Sequence, residues 1–133
     1  MDDKKLIQEA LKSKEDAYVP YSKFHVGAAL LTRGGEVFTG CNIEIASYSP
    51  TICAERTAIF KAVSEGGKDI DTIAIVGDAG FTYPCGVCRQ VIREFGKDAR
   101  IIIAKSEEDY RVYKLEDLLP HSFGPEDLSK GSE

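Results

Sequence analysis

The sequence predicts a layered α/β domain built on a mixed sheet of about five strands. DTIAIVGD (71–78) and ARIIIA (99–104) are nearly continuous apolar runs, the pattern of strands covered on both faces. Helix-favouring segments near 53–66 and 85–95 alternate with them, as in layered α/β domains. VGAALLT (26–32) and EVFTGC (36–41) flank Gly34–Gly35, which reads as a β-hairpin with a glycine turn.

Taken in order, the chain begins with a helix. Leu6, Ile7, Ala10, Leu11, Ala17 and Tyr18 recur near helical spacing, so one amphipathic helix is expected from Asp2 to Tyr18, ended by Pro20. The hairpin follows, and then a loop containing Ser49 and Pro50. A second helix runs from about Cys53 to Gly66, closed by Gly66–Gly67. The strand 71–78 leads to a helix from about Cys85 to Phe95 and the strand 99–104. YRVYKL (110–115) reads as a short polar strand before a last turn or helix near Leu118. The expected order is α-β-β-α-β-α-β-β-α. No internal repeat or low-complexity stretch interrupts it, and residues 124–133 read as a linker-like tail to a single domain spanning 1–133.

Composition narrows the function. A chain of 133 residues with 43% hydrophobic and 29% charged residues is expected to bury a core as one globular domain. A net charge of −5 argues against a nonspecific grip on nucleic-acid phosphates. MDDKKLIQEA lacks an apolar run of signal-peptide length, and no later segment reads as membrane-spanning, so a cytoplasmic location is expected. Four cysteines in such a compartment point to metal binding or catalysis before disulfides.

Zinc prefers thiolate and imidazole ligands, and three protein ligands with an open position characterise a catalytic site. Cys85 and Cys88 are three apart and project from one face at a helix start. Cys53 stands at the start of the preceding helix, and each helix N-terminus carries roughly half a positive charge. Arg56, one turn after Cys53, is placed to donate hydrogen bonds to the thiolates and restore Lewis acidity. Glu55 is harder to place, because residues two apart lie about 200° around a regular helix. Both Cys53 and Glu55 reach one ligand only if Cys53 lies where the helix is not yet regular. A carboxylate there suits general acid/base work. Cys41 raises the alternative of a structural four-cysteine site, although its spacing resembles no zinc ribbon or finger; alone it reads as a small buried apolar residue. His25 and His121 lie apart from the cysteine motifs and read as structural or surface residues.

C-x-E followed by P-C-x-x-C is the three-cysteine form of the zinc deaminase signature. The chain resembles the small tetrameric cytidine deaminases over nearly its whole length. The matching segments are AYVPYSKFHVGAALL (17–31), GCNIE (40–44), TICAERTAIFKAV (51–63), PCGVCRQVI (84–92) and LLPHSFGPEDL (118–128). The resemblance implies a three-layer α-β-α fold with one Zn²⁺ per subunit on Cys53, Cys85 and Cys88, and Glu55 as proton shuttle. It implies that Phe24 packs on the pyrimidine ring, that Asn42 and Glu44 bind the ribose, and that the Ala54 backbone meets the base edge. It also implies that Tyr48 and Phe123 reach into a neighbouring subunit's site, so that a homotetramer shares its active sites.

The activity so implied is hydrolytic deamination of cytidine and 2′-deoxycytidine to the uridines with release of ammonia, a step in pyrimidine salvage. The partner is a small nucleoside, with no nucleic acid and no membrane. Without the family match, Phe24 and Phe123 read as core and Glu44 as a solvated charge. Two residues depart from the family pattern: Ile45 follows CNIE where Asn is common, and Pro50 precedes the zinc-binding helix. Three other readings stay open at this point. One is a deaminase of another small molecule, such as a nucleoside antibiotic. The others are a structural zinc module that only binds, and an enzyme editing RNA or DNA.

Overall fold

The computed structural model of the chain describes residues 1–130. Five strands form one sheet: β1 (Val26–Thr32), β2 (Val37–Cys41), β3 (Ile70–Gly77), β4 (Arg100–Ser106) and β5 (Asp109–Lys114). Their spatial order is β2-β1-β3-β4-β5. β3 and β4 are parallel, with Ile73 opposite Ile101 and Ile75 opposite Ile103; the remaining neighbours are antiparallel. The sheet is mixed, as expected.

Side chains alternate across the sheet with the two-residue period of strands. Ala28, Leu30, Ile73, Ile75, Ile101 and Ile103 face one core, filled from outside by α2 (Ala54–Ser64) and α3 (Gly86–Phe95). Ala29, Ala74, Val76, Ile102 and Ala104 face the other, covered by Leu6, Ile7 and Ala10 of α1 (Asp3–Lys14). Helices on both faces make three layers and explain why β3 and β4 read as apolar runs.

Two differences from the expected elements have clear causes. The first helix ends at Lys14 rather than Tyr18. It is capped by Asp2, whose carboxylate accepts from Lys5 N at 2.9 Å. Tyr18 is instead drawn into an isolated bridge, its backbone pairing with Asn42 and Glu44 across from Ile43.

The second difference is in the tail. Beyond the short α4 (Leu115–Leu118), residues Pro125–Lys130 form α5, so the segment from 124 is not a linker; 131–133 lie outside the described residues. Three side chains of α3 hold this region. Arg89 donates to Leu118 O at 2.7 Å, Gln90 to Phe123 O at 2.8 Å, and buried Arg93 to Ser122 Oγ at 2.7 Å while pairing with Glu126. Such long-range side-chain bonds leave no local pattern in the sequence.

Two glycines let helices sit directly on the sheet. A Cβ at Gly27 would strike the α1 backbone at Ala10 and Lys14, and one at Gly40 would strike the α2 backbone at Ala54 and Ala58. Gly40 therefore fixes how closely α2 approaches β2. Gly40→Ala is expected to lower stability by about 1–3 kcal/mol through overpacking. Gly34→Ala, where the nearest atom stands at 3.8 Å, should stay within about 0.5 kcal/mol. Urea unfolding of both variants at saturating zinc checks the contrast; equal midpoints would remove the close-approach role of Gly40.

Candidate active site and metal centre

The site forms where α2 and α3 begin. Cys53 is the N-cap of α2, with φ −77° and ψ 155°, and Cys85 is the N-cap of α3, with φ −68° and ψ 170°. Both residues are extended, and neither side chain caps its helix. Cys53 therefore sits before the regular turn, which removes the helical-wheel objection to its lying beside Glu55. Cys88 follows within the first turn of α3 and is fully buried.

The sulfur atoms of Cys53, Cys85 and Cys88 lie within 4.8 Å of one another, and the first two are 3.7 Å apart. Tetrahedral zinc with Zn–S bonds near 2.3 Å separates its sulfurs by ~3.8 Å, so the donor set and spacing fit zinc. Cys41 is half-buried and stands outside the cluster, which is therefore a three-cysteine group rather than a four-cysteine one.

The electrostatics around the sulfurs are strongly perturbed. A hydrogen bond from Cys88, together with the Arg56 guanidinium, pulls the Cys53 thiol down to about 5. The same Cys53–Cys88 contact, with burial, pushes Cys88 up. Three adjacent thiols do not all ionise unaided, whereas a dication among them favours the thiolates. Arg56 Nη2 donates to Cys53 Sγ at 3.3 Å. Arg56 Nε is buried with no hydrogen-bond partner among the described residues.

Glu55 is 4% exposed, and burial pushes its carboxyl up to about 7. A carboxyl that titrates near neutrality both takes and returns protons readily.

A cleft of about 270 Å³ opens beside these groups, lined by Val26, Asn42, Glu44, Thr51, Ile52, Cys53, Ala54, Glu55, Thr82, Tyr83 and Cys85. Of the residues singled out by sequence, Asn42, Glu44, Ala54 and Glu55 thus meet at the metal cluster. The Asn42 amide accepts from Val26 N at 2.9 Å and donates to Phe24 O at 2.9 Å. It keeps one N–H and one lone pair for a ligand. Glu44 Oε1 accepts from the backbone of Tyr21 and Ser22 at 3.1 and 3.0 Å, which fixes the carboxylate, and the Ser22 hydroxyl together with these backbone N–H groups holds it below its usual range.

Phe24, Tyr48 and Phe123 do not line this cleft. Tyr48 borders an adjoining hollow with Tyr21, Ser22, Glu44 and Thr51, and its ring is 69% exposed. The Phe123 ring is exposed too. His25 binds Asp78 through its backbone N–H at 2.6 Å and ring Nδ1 at 2.9 Å, a structural role away from the thiols.

Thr82 and Tyr83 enter the cleft from outside the matching segments, their only signal being that they precede Cys85, whereas Thr51 and Ile52 fall inside TICAERTAIFKAV without being singled out there. A larger hollow of about 520 Å³ borders Arg93, Arg100, Lys114 and His121. It includes the first residue of β4, whereas the thiols lie beyond the last residues of parallel β3, so it sits at the other end of the sheet. Its Arg93 and Arg100 are already paired with Glu126 and Asp3.

Comparison with known proteins agrees with this geometry. Residues 1–105 match the family model described as the cytidine and deoxycytidylate deaminase zinc-binding region. The chain is 50% identical to a cytidine deaminase of Sporosarcina psychrophila, the alignment covering 100% of this chain and 99% of the relative. It is 48% identical to that of Halalkalibacterium halodurans, over 97% of this chain and 99% of the relative. The crystal structure of a cytidine deaminase from Burkholderia pseudomallei superposes with a TM-score of 0.88 at 46% identity, covering 92% of this chain and 100% of that one. The three-cysteine cluster, the layered sheet and these full-length similarities converge, and the chain belongs to the cytidine and deoxycytidylate deaminase family of zinc-binding proteins.

Proposed function

We propose that the chain is a zinc-dependent hydrolase that deaminates cytidine and 2′-deoxycytidine to uridine and 2′-deoxyuridine, releasing ammonia in pyrimidine salvage. The observation that carries this reading is a buried carboxyl, Glu55, sharing a small cleft with Cys53 and Cys85 of the three-sulfur cluster.

Cys53, Cys85 and Cys88 hold the metal, and Arg56 offsets the excess negative charge of three thiolates through its bond to Cys53. Bound there, zinc supplies the Lewis acidity that makes water nucleophilic near neutral pH. Glu55 takes a proton from the attacking water and delivers it to the ring nitrogen beside the reacting carbon. It then takes the remaining proton of the added hydroxyl and passes it to the amine as that group departs, leaving the carbonyl. The Ala54 backbone meets the base edge. The remaining N–H of Asn42 and the free oxygen of Glu44 bind sugar hydroxyls. Phe24, whose carbonyl accepts from the cleft residue Asn42, packs on the ring.

No basic cluster lines the cleft, which favours a neutral nucleoside over a nucleotide or polynucleotide. Among the described residues no helix is long and apolar enough to cross a membrane. We place the enzyme in the cytoplasm, where its thiols stay reduced. We further propose a homotetramer in which Tyr48 and Phe123 complete the sites of neighbouring subunits; their exposed rings, at 69% and 57%, support that arrangement.

Ammonia release and the ultraviolet change on adding cytidine to zinc-assayed protein test the reaction. Glu55→Gln is expected to keep its zinc and lose turnover by at least ~10³-fold, within the range of general acid–base catalysis. Near-normal turnover by a zinc-loaded variant would remove the shuttle role. Cys85→Ala should lose zinc and thermal stability together, because metal binding and folding are linked; unchanged metal content, measured by chelator colorimetry, would take Cys85 off the ligand set. Light scattering on the purified protein should give four chains per particle. Phe123→Ala should raise KM for cytidine about tenfold, as expected for losing a packed aromatic contact. A fully active monomer would end the shared-site reading.

A further inference from the structure

The segment between β3 and α3 carries an arrangement that the deamination chemistry leaves unused. Tyr83 lines the cleft two residues before Cys85. Its hydroxyl hydrogen-bonds the Tyr113 hydroxyl of β5 at 2.6 Å, and the two rings meet edge-on at 5.6 Å and 62°. Two residues earlier, the Phe81 ring lies 4.1 Å from the Arg111 guanidinium and 4.7 Å from Lys105 Nζ. On the other side, Arg89 Nε donates to Pro84 O at 2.8 Å. Contacts before and at Tyr83 hold it against β4 and β5, and the one after it ties the connector to α3.

The shape of the cleft gives this fixed residue a task. Asn42 and Glu44, able to bind sugar hydroxyls, line the cleft together with Thr82, Tyr83 and Cys85 of the connector between β3 and α3. In a cytosine nucleoside the glycosidic nitrogen and the amine-bearing carbon lie across the ring from one another. The amine-bearing carbon is the atom the reaction attacks, so it sits at the sulfur cluster, and its amine departs beside Cys85, in the direction of the connector that carries Tyr83. A substituent on that amine extends in the same direction.

We propose that Tyr83, pinned by Tyr113, is a specificity-determining residue that restricts the departing group to an unsubstituted amine. This assignment rests on the deaminase reading above. With 4-N-methylcytidine the same hydrolysis forms a carbon–oxygen bond, breaks the carbon–nitrogen bond and releases methylamine bearing the transferred proton. No oxidant or reductant enters, so discrimination lies in fit alone.

The test compares kcat/KM for cytidine and 4-N-methylcytidine in zinc-loaded wild type, Tyr83→Ala and Tyr113→Phe. The ratio of two substrates on one preparation cancels any loss of folded or metal-loaded enzyme. Wild type should favour cytidine by ~100-fold, the scale on which a packed pocket distinguishes one methyl group. Tyr83→Ala should narrow that ratio at least about tenfold, with methylamine detected as product. Tyr113→Phe keeps both rings and loses only the hydroxyl bond, so it should narrow the ratio by about two- to fivefold.

An unchanged ratio in Tyr83→Ala, or a wild type that accepts both nucleosides equally, overturns the assignment. Where Tyr83→Ala fails to retain zinc, Tyr113→Phe decides, and an unchanged ratio there overturns it. Wild type active on cytidine with flat ratios removes the Tyr83 role alone. Wild type that turns over neither nucleoside removes the deaminase reading and the assignment with it.

Discussion

Three sulfur atoms confined within 4.8 Å are the constraint on which the rest of this molecule turns. Two like charges ~4 Å apart repel by roughly 4 kcal/mol at an effective dielectric of 20, so three thiolates do not stay together without compensation. The fold supplies it in layers. Two helix N-termini point their partial positive charge at the cluster, Arg56 bonds one sulfur directly, and a zinc dication completes the balance. Each contribution demands that α2 and α3 start at the same place. α2 begins directly after the Ile43–Ile52 bridge, and α3 after the connector of residues 78–85 that follows β3.

The approach of α2 depends in turn on side chains far from any chemistry. Ala54, Ala58 and Ala62 are completely buried, and Gly40 lets their backbone press against β2. Larger residues there would lift the helix and carry Cys53 and Glu55 with it. α3 is held from its other side by Arg89 and Arg93, whose partners lie in the stretch from Leu118 to Glu126. The two ligand-bearing helices are therefore fixed by different parts of the chain, one by a hairpin and one by the C-terminal segment.

Much of this could be read before any coordinates. β1 falls on 26–32 as expected because both its faces and its glycine turn are written locally. The helix starts were visible because cysteine chemistry and helix geometry agreed there. Pro20 as a stop signal places the end of α1 too late, because Tyr18 pairs across to Ile43 instead of continuing the helix beyond Lys14. The C-terminal helix lacks a local signal for the same kind of reason: Arg93 pairs with its Glu126, and the stretch leading to it is held by side chains of α3 some thirty residues away. Tyr83 escaped notice because its partner, Tyr113, is placed by the registry of β5 on β4. Local periodicity reports elements, and it is silent about long-range pairings of polar side chains.

Glu55 shows how the constraint becomes function. The sequence holds 22 acidic residues, and among the described residues Glu55 alone is a buried carboxylic acid. Burying a carboxylate is costly, and a small fold would not retain it for packing, since glutamine fills the same space without a charge. Its position answers the question. The N-cap at Cys53 turns the chain so that the second residue of the helix faces the cluster rather than solvent, and the burial that penalises the charge brings its proton affinity near neutrality. The geometry that gathers the sulfurs also buries a carboxyl beside them and brings its titration near neutrality, so the metal-binding group and an acid suited to the proposed proton transfer follow from one feature: starting α2 at Cys53.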